Sequence, residues 1–571
     1  MHKFNRMTGT IAKWIILFFF TIAIAILTLQ SLFSTAYIAS SEKTYYAADK
    51  PFRHFVVFIL LVISMSVIRY FTSKLPNRDM LDKIGVAVLL VISVGVSYVI
   101  FKNTQLYPRS DQRLVLLAAA QLREGDFSSM EPGGYLALWP HQMGATLYQY
   151  FLSFLIGPNN HIGNQIWNIV MLGLFQVIFF LLIKRIFAQL SHSSTMFGIV
   201  SFLPLTFYVS FVYGNIAGLA FSTLAIYMFV RYTEEHNLAF ASIAVIALWI
   251  SILMKGNYLI LLIALGIYLL VDYITTMEKK SLALVLVLVL CYFSSNLFVH
   301  VATQKITGRD VPKGVPTIGW VAMGMQEGYA AKGWFNTYVT EIYDTCGGDS
   351  DVIAKTAMQD IQTSLKGFAA DPVYARQFYG EKIASQWNNP SFQCFWIFYD
   401  RTTDIQVPSW MKDIVTGNMR NRLISLFNLW QTQILLGVCL YIIYRFRKCD
   451  WKELLLALCF VGGFLFHLLW EAKCQYTVSY FVLLILYAAV GFHELLQDIN
   501  GKMRALRNRN MPLGEKLFVI ASRKITYIML GFLLIVLLGS IYQGAWFTDT
   551  IKITKDNDRF QEKVTPVEVE Y

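Results

Sequence analysis

The sequence predicts an all-α polytopic membrane protein. It has about thirteen transmembrane helices, interfacial helices in the first large outer loop, and a small, mostly helical extracytoplasmic cap. Three observations predict it. Of 571 residues, 56% are hydrophobic and only 15% charged, against about 25% charged in soluble domains. The apolar residues fall in blocks of roughly 18–22, the length that crosses ~30 Å of hydrocarbon as a helix. Lysine and arginine gather in alternate loops, as the positive-inside rule requires. A soluble enzyme, a secreted disulfide scaffold and a disordered chain are excluded, and β-barrel strands alternate in ~10-residue pieces instead of running continuously apolar. The net charge of +12 belongs to cytoplasmic loops, so no nucleic-acid partner is implied.

The expected spans lie near 14–36, 54–71, 84–101, 163–183, 194–212, 215–231, 237–254, 257–274, 281–301, 423–444, 451–470, 475–495 and 525–543. A cytoplasmic N-terminus puts Lys13, Arg69, Lys184, Arg185, Arg231, Lys279, Lys280, Arg445, Arg447 and Lys448 inside. The short outer loops then keep Lys43, Lys50, Arg53, Lys255 and Lys473. The stretch HQMGATLYQYFLSFLIG (141–157) would invert every later loop if it crossed, so it reads as an interfacial helix. The chain divides into three N-terminal spans (1–101), a first large outer loop (102–161), a transmembrane core (162–301), a cap (302–422), C-terminal spans (423–543) and an outer tail (544–571). Within the cap, 350–367 and 373–387 read as amphipathic helices, and Cys346 and Cys394 are its two cysteines, whose pairing the sequence leaves open. None of the seven cysteines forms a CxxC, which excludes a common zinc pattern.

Chemistry is sought where charge meets the outer ends of spans. In YPRSDQRLVLLAAAQLREGDF, Ser110 reads as an N-cap of a helix from Asp111 to Glu124 that closes at Gly125. Asp111 then sits in the first turn, where the helix dipole favours an anion, and could take the proton of an attacking hydroxyl; alternatively it is only a dipole-matched cap. In EPGGYLALWPHQMG, His141 is a candidate for a substrate phosphate or hydroxyl, and Asp126 and Glu131 are weaker carboxylates. Lys255 in ILMKGNYLI, and Glu471 and Lys473 in LFHLLWEAKCQYTVSYF with His467 one turn upstream, are ionisable groups at costly depth. Such cations suit a lipid-borne phosphate; the plainer reading is an internal Glu471–Lys473 pair with Lys255 snorkelling. There is no Walker A sequence and no dinucleotide fingerprint, so a donor would be lipid-borne.

These pieces resemble the GT-C superfamily of polyprenyl-phosphate-sugar-dependent glycosyltransferases, in particular bacterial relatives of protein O-mannosyltransferases. The resemblance rests on the order of Asp111, LWPHQMG…LIGPN, YVSFVYGNIAGLAFSTLAIY (208–227), ILMKGNYLI, GWVAMGMQEGYAAKGWFN (319–336), FYGEKIASQWNNPSF (378–392) and LWEAKCQY, spread over residues 105–480. It implies Asp111 as catalytic base. It also implies lipid-phosphate or acceptor binding by Lys255 and Lys473, beside the candidates Glu471, His141 and Tyr476. The chain departs at Gln112, where many relatives carry a second acid, at Asn215, where many carry Asp, and at Gln475, where Arg is frequent. More spans than the usual one also precede the first outer loop. The first departure weakens the case for a bound divalent metal, and no cofactor is implied. The implied partners are a polyprenyl-phosphate-linked sugar, a hydroxyl-bearing glycan, lipid or protein acceptor, and the bilayer. The implied location is a bacterial plasma membrane, with the N-terminus cytoplasmic and the C-terminus outside. A flippase for lipid-linked intermediates and a non-catalytic polymer-assembly subunit are the competing classes.

Overall fold

The computed structural model describes residues 2–399 and 406–507, with positions 528, 531, 532 and 535 beyond them. Helix α1 (His2–Phe33) leads into an antiparallel hairpin of β1 (Ser34–Ile38) and β2 (Thr44–Ala48), and α2 (Pro51–Thr72) and α3 (Arg78–Thr104) follow. The first outer loop holds α4 (Asp111–Glu124), α5 (Tyr135–Leu138) and α6 (Met143–Ile156). The core continues through α7 (His161–Ile186), α8 (His192–Val200), α9 (Pro204–Phe207), α10 (Asn215–Glu235), α11 (Leu238–Met254), α12 (Leu259–Thr276) and α13 (Lys279–Thr307). Next come α14 (Thr317–Gly324), α15 (Tyr338–Thr345), α16 (Ser350–Ala370), α17 (Pro372–Trp387) and α18 (Ser409–Val415). The chain then returns through α19 (Asn418–Arg445), α20 (Trp451–Leu469), α21 (Cys474–Phe481) and α22 (Leu484–Arg507).

This is an all-α polytopic membrane protein. Among the described residues nine helical stretches are long and apolar enough to cross a bilayer, or eleven if two bent pairs are each one span. The expected thirteen are revised for physical reasons. The 194–212 segment bends by 57° at a break before Pro204, whose ring removes a donor and clashes with the preceding turn. The 475–495 segment bends by 44° where the Leu483 amide bonds the Tyr480 carbonyl in a tighter turn. Helix α11 is apolar but only 17 residues long. The 525–543 span and the 544–571 tail lie outside the described residues, save the four positions named above. The first span ends at Phe33, not 36, because the chain there enters the hairpin. Helix α6 has 14 residues, too few to span.

The hairpin is a clamp. Its register runs from Ser34↔Ala48 to Ile38↔Thr44. The Ala36 amide donates to the Asn388 carbonyl (3.1 Å), and Thr44 N–H reaches the Ala330 carbonyl (2.8 Å). The Asn388 amide side chain donates to the Ser34 carbonyl (2.8 Å) and that of Asn389 to the Ala36 carbonyl (2.9 Å). Below it, Gln30 of α1 donates to the Gly380 carbonyl (3.0 Å), and the Ser31 and Thr432 hydroxyls meet at 2.6 Å. Residues 387–398 therefore do not sit outside the bundle. Trp387, Phe392, Cys394, Phe395 and Phe398 are buried in the main core, with Phe392 against Phe202 and Phe481 and Phe395 stacked on Phe427 at 5.9 Å. Cys346 and Cys394 are both free thiols. Helices α19 and α22 approach closely at small residues, as membrane helices do: a Cβ on Gly491 would lie 1.9 Å from the Gly437 carbonyl oxygen.

Candidate active site

Helix α4 starts where expected, and Gly125 closes it with φ +78°. Ser110 precedes it but makes no capping bond; its own backbone is at φ +50°, ψ −142°, a region L-residues rarely occupy. This corrects the capping expectation: the side chain of a residue so twisted does not point along the helix start. Arg109 pins the turn, its guanidinium lying 4.1 Å over Trp396 and donating to the carbonyls of Trp396 and Tyr399 at 3.3 Å each.

That turn delivers Asp111 into a group of hydroxyls and cations. The Tyr135 hydroxyl donates to its Oδ1 at 3.3 Å. The Tyr213 hydroxyl also faces it and accepts from Gln142 Nε2 at 2.7 Å. Burial first, then the Asp111 charge, pushes both phenols well above the usual range, so both remain protonated. Gln112 turns away: its Oε1 accepts the Val212 amide at 3.0 Å. Among the described residues no three His, Cys, Asp or Glu side chains converge as a metal site.

The cations come from the ends of α11 and α20. Lys255 turns inward rather than snorkelling, with Nζ donating to Asn215 Oδ1 at 2.5 Å and lying 4.4 Å over the Tyr213 ring and 5.7 Å over Tyr476. Asn215 holds the ammonium without neutralising it, where an Asp would form an ion pair. Burial drives the Lys255 pKa down to about 7, with Asp111 opposing the shift and Lys473 adding to it. The internal Glu471–Lys473 pair is not the closest one: Lys473 reaches Glu42 Oε2 at 3.4 Å, and Glu471 accepts from the Tyr476 hydroxyl at 3.3 Å. Burial opposes the Lys473 charge, yet Glu42, Glu471 and Asp111 together hold its pKa above the ordinary lysine range. Burial raises Glu471 to about 7, opposed by Lys473 and reinforced by Asp111 and Glu42.

Asp111, Lys255, Glu471, Lys473 and Tyr476 thus form one electrostatically linked group, although 365 positions separate Asp111 from Tyr476. A cleft adjoins it, lined by Lys255, Asn215, Gln475 and Tyr476 and by the apolar Leu205, Ile216, Leu219 and Val478. Gln475 Oε1 has no hydrogen-bond partner. His141 is exposed, its Nε2 3.1 Å from Gln142 Nε2 and its ring edge-on to Trp320 at 5.0 Å. His467 is fully buried, its ring 6.1 Å from that of Tyr476. Asp126 caps the Ser128 amide (2.9 Å) and Glu131 pairs with Arg309 in the open; neither joins the group.

Sequence reasoning missed Glu42, Tyr135 and Tyr213. Glu42 had a signal, since STAYI and TYYAA flank a five-residue turn in the manner of a hairpin. The two tyrosines had none beyond neighbouring glycines.

No family model and no curated protein matches the chain. Among solved structures it is similar to the Archaeoglobus fulgidus oligosaccharyltransferase, crystallised tethered through a disulfide bond to an acceptor peptide containing the NVT sequon. The identity is 13% and the TM-score 0.38, over 81% of this chain and 55% of that one. The chain spans about half the length of the structure it matches.

Proposed function

We propose that this protein is an integral membrane glycosyltransferase that moves a sugar from a polyprenyl-phosphate donor to an acceptor hydroxyl on the extracytoplasmic face, in cell-envelope glycan or glycoconjugate assembly. One observation carries the reading: Asp111 at a helix N-terminus is electrostatically linked to two lysines from distant spans, and one of them, Lys255, lines a cleft together with apolar residues. A lipid-linked phosphate has that polarity.

In this reading Asp111 accepts the proton of the acceptor hydroxyl as its oxygen attacks the anomeric carbon. The new C–O bond forms as the bond from that carbon to the phosphate oxygen breaks, and the bonding pair leaves with polyprenyl phosphate. Lys255 and Lys473 stabilise the negative charge gathering there. Tyr135 and Tyr213 fix the carboxylate. Glu42 holds Lys473 in place until a phosphate competes for it.

The purified chain, incubated with a panel of polyprenyl-phosphoryl sugars, should release polyprenyl phosphate from at least one. Translocation of labelled lipid with no glycosyl product would favour the flippase class. Absence of both, with a stably bound envelope partner, would favour an assembly subunit.

A further inference from the structure

Beside the Asp111 group lies a second feature that the proton and phosphate chemistry does not use. Trp139, His141, Trp320 and Trp470 form a continuous aromatic surface. Trp139 lies 5.3 Å from Trp320, His141 5.0 Å from Trp320, and Trp470 6.3 Å from Trp320 with planes only 19° apart. Phe466 supports Trp470 from below at 5.1 Å and 25°. Trp320 is buried, Trp139 and Trp470 are half-buried against it, and His141 is exposed, so the accessible part of the cluster is the imidazole and portions of the two outer indoles.

Its position ties it to the site from both sides. The Trp139 amide bonds the Tyr135 carbonyl at 2.9 Å, and Tyr135 holds Asp111. Gln142 bridges His141 and Tyr213. On the cation side Trp470 is the residue immediately before Glu471. Backbone contacts fix the arrangement: a Cβ on Gly314 would fall 2.4 Å from the Pro140 ring, and one on Gly324 within 2.7 Å of the Trp470 carbonyl.

We infer that this aromatic surface is the acceptor subsite and that the acceptor it takes is a saccharide, a pyranose ring lying on the indoles with a hydroxyl turned toward Asp111. A pyranose has a C–H face that complements the negative face of an aromatic ring and a hydroxyl edge that His141 and Gln142 can bond. The surface supplies aromatic carbon beside an exposed imidazole, which suits a sugar better than an extended peptide. The inference rests on the transferase reading for the role of the subsite, not for its binding.

The test is a titration of the full-length protein in detergent or nanodiscs with neutral hexose and N-acetylhexosamine oligosaccharides, followed by tryptophan fluorescence and saturation-transfer NMR. At least one series should give a saturable response. That response should weaken about tenfold or more in Trp470→Leu and Trp139→Leu, be kept in Trp470→Phe, which preserves an aromatic face, and persist in Trp410→Leu, an exposed indole elsewhere. No saturable response, one undiminished in both leucine variants, or displacement by serine- and threonine-containing peptides at lower concentration would overturn the inference. Binding needs no donor, so the two readings fail separately. Saccharide bound at the indoles with no polyprenyl-phosphoryl sugar consumed would sink only the transferase. Donor consumed without saccharide binding would sink only the subsite.

Discussion

Replacing Lys255 by Met removes the ammonium that lines the cleft while keeping its length and apolar stem. In the ligand-free site that ammonium is held by a neutral amide and two aromatic faces, so its charge remains available to a phosphate. A hydrogen bond to a charged group contributes about 1.5–3 kcal/mol, which at about 1.4 kcal/mol per decade predicts a roughly 10–150-fold loss of donor affinity. The assay is equilibrium binding of a polyprenyl-phosphoryl sugar, a diester without the second ionisation near pH 6 of a monoester. Because burial sets Lys255 at about 7, wild-type affinity should fall by about tenfold per pH unit above that point as the free site loses its proton. Ionisation of Glu471, also near 7, adds to the same trend. Lys255→Arg stays charged and should flatten the alkaline limb, leaving the Glu471 contribution. For stability the sign is opposite: the unfolded chain binds more protons than the native one between about 7 and the ordinary lysine value, so ligand-free stability rises with pH through that window. Unchanged donor affinity in Lys255→Met, within about twofold, or an alkaline limb that survives intact in Lys255→Arg, would refute the assignment.

Asp111→Asn should lower transfer by about 10²–10⁴ while donor binding persists, and full retained turnover in membranes would remove Asp111 as the base. Ser110→Gly relaxes a backbone held at φ +50° and should add roughly 1 kcal/mol after allowing for glycine's greater unfolded-state freedom; a lower melting temperature in detergent would contradict the strain argument. Gly491→Ala forces a methyl against the Gly437 carbonyl and should cost about 2 kcal/mol or more, with no shift in melting temperature counting against close packing of α19 and α22.

Much of the span layout was legible because long apolar blocks leave a chain few alternatives in lipid. The breaks inside two of them were not, since hydropathy averages over the turns where Pro204 and Leu483 sit. Lys255, Glu471 and Lys473 stood out because charge at the end of an apolar run is costly, and Asp111 because a helix pattern begins there. Their partners were hidden. Nothing local tells a hydrated Glu42 from one placed against Lys473 by a hairpin, and indoles at 139, 320 and 470 share no spacing.

The clamp that joins α1 and its hairpin to residues 380, 388, 389 and 432 also sets a timetable for biogenesis. At about 5–20 residues per second, the ribosome needs roughly 20–80 s after the first helix emerges to make the segments that satisfy Gln30, Ser31 and Ser34. Through that interval a polar-faced helix sits in the bilayer without its mates. The oldest polar groups of the chain thus wait for its youngest segments before their hydrogen bonds can close.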